Sequence, residues 1–210
     1  MPYKQSQTTV LWDDPYNHPS DNTVELRLIY GGELLGASKT DTRSEHKHAV
    51  RLCFHHQLKH LWSISPNLRE WILGDPRVQV LPAKDYLSQK YQFNGIGLIP
   101  LVTEDLGVGV KLDILMLRPD QPGKTLMQSG DIDNRLKTVF DALRMPQIGE
   151  HFDSQGENPF FCLMQNDSLV NHVSVTTDML LGSCSKNEVR LVITVILWPI
   201  VATLQNMGVF

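Results

Sequence analysis

Gly130-Asp131-Ile132-Asp133-Asn134-Arg135-Leu136-Lys137-Thr138-Val139-Phe140-Asp141-Ala142-Leu143 places two carboxylates one residue apart at a glycine turn and follows them at once with an amphipathic pattern. Leu136, Val139, Phe140 and Leu143 recur at helical spacing, and Asp133 stands where an N-cap belongs. The stretch therefore predicts a helix over 133–144 with one buried stripe. If the lead into it is extended, Asp131 and Asp133 project to the same side. Lys137 and Asp141 follow Asp133 at i+4 and i+8, which holds an ammonium group about one turn from the acids. Carboxylates this close repel, and a shared proton or a hard cation between them relieves the repulsion. Mg²⁺ takes oxygen ligands and keeps waters and a substrate phosphate, so the pair suits Mg²⁺, with Mn²⁺ as a substitute. An N-cap Asp beside a solvated turn Asp is the simpler alternative for a bare D-x-D.

A second stretch bears on that choice. Gln165-Asn166-Asp167-Ser168-Leu169-Val170 reads as an acidic turn, and 171–177 alternates as a strand. The ordered combination D-x-D-N-x-x-K-x-x-x-D-A-L, then N-D-S before a strand, resembles the RusA-type Holliday junction resolvases. Met116-Leu117-Arg118-Pro119-Asp120 is similar to that family's strand ending in a Pro-Asp loop. The resemblance covers 108–177, about a third of the chain. It implies that Asp131, Asp133 and Asp167 are catalytic carboxylates that bind Mg²⁺, that Lys137 is needed for cleavage, and that Asn134 and Asp141 support them. It also implies branched DNA, the four-way junction, as substrate, and a homodimer with two sites about a two-fold axis. Asn166 departs from the family, which usually carries a second acid there as an outer-shell group. The separation 167 − 133 = 34 is longer than the family's, and an insertion within 144–159 accounts for it.

Two further functions of the same scaffold stay open. One is a branched-DNA-binding module with weakened or absent catalysis, which the amide at 166 and the acidic charge favour. The other is the same metal chemistry acting on RNA or another phosphoester.

The 210 residues carry a net charge of −4, with 41% hydrophobic and 20% charged residues, a composition ordinary for a globular protein. A global acidic balance offers nucleic acid no general basic field, so DNA contacts must be local. Arg43, Lys47, Arg51, His55 and Lys59 step by four along a predicted helix and form a winding basic ridge, drifting about 40° per step. With Arg118, Lys124 and Arg135 they are the candidate DNA contacts. His56 and His60 at i, i+4 have zinc-helix spacing, but the glutamate and third ligand of such a helix are missing, and surface histidines are the simpler reading. Cys53, Cys162 and Cys184 have no metal-like spacing, and reduced thiols in a cytoplasmic protein account for them. The apolar run 189–204 contains Arg190 and Pro199 and reads as a buried strand, so no membrane partner is expected. No small-molecule cofactor is expected either.

In chain order, 1–23 reads as an irregular lead-in with Val10-Leu11-Trp12 as a possible docking point, and 24–210 as one domain whose motif-bearing core is 108–198. Strands are expected at 24–30, ended by Gly31-Gly32, and at 160–164, 172–177 and 188–198. Strands 91–102 and 108–117 are expected to form a hairpin through Glu104-Asp105-Leu106-Gly107. Helices are expected at 43–62, with Val50, Phe54, Leu58 and Leu61 buried, and at 65–73, with Pro66 in its first turn. Asp113 is a possible supporting acid, and 145–159 a loop beside the site and a candidate substrate contact. The fold class that follows is α+β, one mixed sheet with helices mainly on one face, RusA-like and a single domain.

Overall fold

Val189, Leu191, Ile193, Val195 and Leu197 occupy alternate positions of one run, as do Val110, Leu112, Ile114 and Met116 of another, so each run can lay one apolar face on a core. In the computed structural model these two runs are the centre of the main sheet. The structure describes residues 23–36, 41–119, 130–182, 185–200, 203 and 205–206. Val10-Leu11-Trp12, Lys124 and Cys184 lie outside the described residues, as does all of the lead-in but Thr23.

The elements in order are β1 (Val24–Glu33), α1 (Asp41–Ile64), α2 (Pro66–Glu70), β2 (Ile72–Asp75), β3 (Gln79–Pro82), α3 (Ala83–Lys90) and β4 (Gln92–Phe93). There follow β5 (Ile96–Val102), β6 (Val108–Arg118), α4 (Gly130–Leu143), β7 (Phe160–Met164), β8 (Val170–Met179) and β9 (Glu188–Pro199). The main sheet has the order β1-β9-β6-β8. β9 runs antiparallel to both β1 and β6, while β8 is parallel to β6. Leu112 lies opposite Val195 and Ile114 opposite Ile193, and these residues are buried under Val50, Phe54, Leu58 and Trp62 of α1 and Val139, Ala142 and Leu143 of α4. Helices thus cover one face of this sheet, an α+β arrangement. Burying side chains of this size contributes about 1.5–3 kcal/mol each.

A second, three-stranded sheet, β4-β5-β7, abuts the first, and β2-β3 forms a separate ribbon. Among the described residues the expected single sheet is therefore three. The expected hairpin is also not there: β5 pairs with β4 and β7, β6 pairs with β9 and β8, and the two strands lie in different sheets. Gly107 at φ 59 explains the divergence, since its left-handed backbone ends the 3-10 turn Glu104–Leu106 and redirects the chain. The real hairpin lies inside the expected strand 91–102. Asn94 and Gly95 both have positive φ, which is the two-residue turn that Asn-Gly favours. At the other end of the chain, Gly31 and Gly32 continue β1 through to Glu33, because Arg190 and Val189 of β9 still pair with them.

α1 buries Trp62 in place of Leu61, continuing the i+4 series from Val50, and the Trp62 indole stacks on Trp71 at 5.9 Å. α2 is shorter than expected and ends at Glu70; Ser65 caps it by accepting from Leu68 N–H. Among the described residues no helix is long and apolar enough to cross a membrane.

Candidate functional site

α4 starts at Gly130, so Asp131 and Asp133 both lie inside the helix, and Asp133 is its fourth residue, not its N-cap. Successive helical residues turn by about 100°, so the same-side argument for an extended pair does not carry over. The Asp131 side chain lies outside the described residues. Past it, α4 is pinned by the chain that leaves β1. Arg135 donates to Leu34 O at 2.7 Å and to Asn187 Oδ1 at 3.3 Å, and Thr138 donates to Leu35 O at 2.9 Å. That fixes the helix rotation: Val139, Ala142 and Leu143 go to the core, and Asp133, Asn134 and Lys137 are exposed. Asp133 and Lys137 stand one turn apart on this exposed face, as the sequence predicts.

Asp167 opens a 3-10 turn, Asp167–Leu169, that packs on α4. Asn166 is its cap, accepting from Ser168 N–H at 2.8 Å, while its Nδ2 donates to Glu104 Oε1 at 3.0 Å. An aspartate could make the first bond but not the second, which is a local reason for an amide at this position. Glu104, read from sequence only as part of a turn, is thereby held beside Asp167. Met145 N–H donates to Met164 O at 3.0 Å, so the chain arrives at Asp167 from the C-terminal end of α4. Among the described residues, no three His, Cys, Asp or Glu side chains converge as a metal-ligating group.

Asp141 faces away from this surface into a buried ionic cluster. Arg144 reaches its Oδ1 at 2.6 Å and Lys47 its Oδ2 at 3.5 Å. Glu150 accepts from Lys47 at 2.6 Å, Arg144 at 2.7 Å and Arg51 at 2.8 Å. Burial would raise the Glu150 carboxyl, but hydrogen bonds from Arg144 and Lys47 and the charge of Arg51 outweigh it and bring it down to about 2. Asp141 is therefore a positioning element of the scaffold. The 145–159 loop is likewise tied down: Phe152 packs on Phe160 at 5.0 Å, and His151 N–H donates to Ser44 Oγ at 3.0 Å. Its tip is open, with Ile148 98% exposed, and His151, Asp153, Gln155 and Asn158 are exposed as well, so the loop is anchored on the scaffold and still faces solvent.

The same cluster dismantles the basic ridge. Lys47 and Arg51 are spent on Glu150, Arg51 is buried, and Lys59 pairs with Glu157 at 2.6 Å. Arg118 and Arg135 are buried too. Lys47, Arg51, Arg118 and Arg135 are thus taken up inside the protein, and of the expected contacts with described side chains the half-buried Arg43 and the exposed, ion-paired Lys59 are left. Asp113 points to the sheet face away from the helices and lies 3.4 Å from Lys111, so it does not support the acids on α4. No family model, curated protein or solved structure matches this chain.

The histidines of α1 divide by burial. His56 and His60 are exposed, as a surface reading expects, whereas His48 and His55 are buried. His55 Nδ1 accepts from Phe161 N–H at 2.8 Å and its ring stacks on Phe160 at 4.0 Å. Burial, with the neighbouring His56 charge, brings it down to about 4, and burial also lowers His48 and His46. Cys53 and Cys162 are free thiols; burial pushes Cys162 up to about 12 and it is inert.

An acid-stability prediction follows. A histidine held neutral contributes stability in full above its unfolded value near 6.5 and loses it as pH falls toward 4, so His55 alone should forfeit about 3 kcal/mol across that window. Glu150, with a depressed folded value, loses its share only between about 4.5 and 2. Urea denaturation at stepped pH should show stability falling in two stages. A flat profile from pH 7 to 4.5 would contradict the histidine assignment.

Proposed function

We propose that this chain is a Mg²⁺-dependent endonuclease of RusA-like fold that hydrolyses phosphodiester bonds in branched DNA, with the four-way junction as its substrate. One observation carries the reading: the acidic turn holding Asp167 packs on the same helix whose exposed face presents Asp133 and Lys137. The exposed carboxylates of Asp133 and Asp167 are the hard oxygen donors that Mg²⁺ takes, and with Asp131 they would hold it. When bound, the ion supplies a lowered pKa for an attacking water and neutralises charge on the scissile phosphate.

Lys137 adds positive charge for the negative charge that develops on the phosphate. The exposed face of α4 near its N-terminal end favours an anionic group by its orphan amides and dipole. Arg135 and Thr138 act through the backbone of Leu34 and Leu35, holding the helix so that Asp133 and Lys137 stay outward. The working unit is a cytoplasmic homodimer, whose two sites meet symmetric strands of a junction.

A second reading has an observation of its own. Asn166 is an amide committed to its own turn and to Glu104 where a second acid would serve a metal, which favours a branched-DNA-binding module with weak metal affinity. One experiment decides. Purified chain with Mg²⁺ is expected to cut a synthetic four-way junction. Junction binding that weakens steeply with salt and leaves no products would install the binding module instead. Cleavage of RNA alone would move the substrate class, and intact junctions, flaps, duplexes and RNA in both Mg²⁺ and Mn²⁺ would remove the nuclease.

A further inference from the structure

α1 meets three main-chain N–H groups with imidazole rings. Leu35 donates to His46 Nε2 at 3.1 Å, Asp153 to His48 Nε2 at 3.2 Å and Phe161 to His55 Nδ1 at 2.8 Å. A ring nitrogen accepts only while it carries no proton. The three rings differ in what a proton does to them. His48 Nε2 also lies 2.6 Å from Asp153 O, so a protonated ring keeps a bond by donating there. His55 is wholly buried, so its proton waits for the core to open. His46 is half-buried, and the carbonyls of the segment it holds, Leu34 O and Leu35 O, are already taken by Arg135 and Thr138 of α4.

Leu34-Leu35-Gly36 runs between α1 and α4, and Gly36 comes so close to α4 that a Cβ there would stand 3.0 Å from Asn134 Cβ. Thr138 Oγ1, which donates to Leu35 O at 2.9 Å, has a second acceptor in Asn134 O at 3.3 Å on its own helix. We propose that His46 is a proton-operated latch on 35–36. Unprotonated, it fastens Leu35 to α1 and so keeps Thr138 on Leu35 O. Protonated, it sets one N–H against another, Leu35 swings off, and the Thr138 hydroxyl turns back to Asn134 O. Leu34 is buried and its N–H stays on Asn187 O, which confines the change to 35–36 and the part of α4 around Thr138. The charged groups around His46 are Arg43 on α1 and Glu33 at the end of β1, while Arg135 of α4, across the segment, is turned to Leu34 O and Asn187 Oδ1. Burial and Arg43 hold the proton off, Glu33 favours it, and the balance keeps His46 below its ordinary 6.5. With the folded value lowered, the latch is fully closed above 6.5 and opens as pH falls through that lower value. The latch concerns what supports α4 and not the chemistry on its exposed face, so neither DNA nor metal enters its test.

Amide hydrogen exchange of the full chain, expressed as protection relative to the unfolded rate at each pH, reads the latch. Between about pH 7 and about pH 5, protection at Leu35 should fall about tenfold, the gain that proton uptake gives the open form, while the amides of β9 hold theirs. His46→Gln offers a carbonyl oxygen that accepts without titrating, and should make Leu35 protection the same at both pH values. His55 is unchanged in that variant, so a fall that vanishes there belongs to His46. Should the variant not fold, ring-nitrogen chemical shifts of the wild-type chain carry the test: Nε2 of His46 bare at pH 7, and titrating with the same midpoint as Leu35 protection. Leu35 protection that ignores pH overturns the proposal. So does a His46→Gln chain that keeps the wild-type fall, or an Nε2 already protonated at pH 7.

Discussion

Asp133→Asn should lower Mg²⁺-dependent cutting by about 10²–10³-fold, the range seen when one preorganised charge-stabilising group is lost from an active site. Its exposure means that folding stability should move by no more than about 0.5 kcal/mol. Lys137→Ala should behave the same way, for the same reason. Asp141→Asn makes the contrast, because Asp141 accepts from Arg144 and Lys47 inside the protein. It should lose stability before it loses turnover per folded molecule. Single-turnover cleavage with each variant, alongside its thermal midpoint, separates the two kinds of acid. If Asp133→Asn cuts at the wild-type rate, the carboxylate on the exposed face of α4 is not part of the chemistry.

Glu150→Ala should be among the most destabilising single changes in the chain. It removes the acceptor shared by Lys47, Arg51 and Arg144 and leaves three cations facing Asp141 alone. Removing one partner of a buried ion pair costs about 3–5 kcal/mol, because the remaining charge is neither solvated nor matched. At about 2–4 °C per kcal/mol for a chain of this size, the midpoint should fall by roughly 10 °C. Calorimetry measures it. A loss below about 1 kcal/mol would mean that the cluster behaves like a surface ion pair open to water.

The sequence reads well where one physical rule acts alone. Val189 to Leu197 is an apolar, β-branched run broken only by Arg190 and Thr194, and β9 lies where that run puts it. Phe160–Met164 is bounded by Pro159 and Gln165 and is a strand as expected, and the stripe Val139, Phe140 and Leu143 orients α4 correctly. It reads poorly where tertiary partners choose. Glu104-Asp105-Leu106-Gly107 looks like a hairpin turn, but β6 pairs with β9 and β8 while β5 pairs with β4 and β7, and the turn becomes a crossing between sheets. α3 gives little notice, because Ala83–Lys90 buries only Ala83 and Leu87; Pro82 before it and Lys90 in its last turn were the available signals. The basic ridge failed for a related reason. Spacing shows that cations share a helix, but not that Glu150, about a hundred residues away, has already claimed them.

Arg144 bridges to Met164 as a lone parallel pair, and Met145 N–H meets Met164 O, so the excursion through 145–159 leaves and re-enters at one point. Closing such an excursion has an entropic cost that grows only logarithmically, about 0.6 kcal/mol for each doubling of its length. A shorter or longer detour would hand β7 back to the same place, provided the Glu150 clamp were replaced. How many residues separate Asp133 from Asp167 therefore says almost nothing about their distance in space.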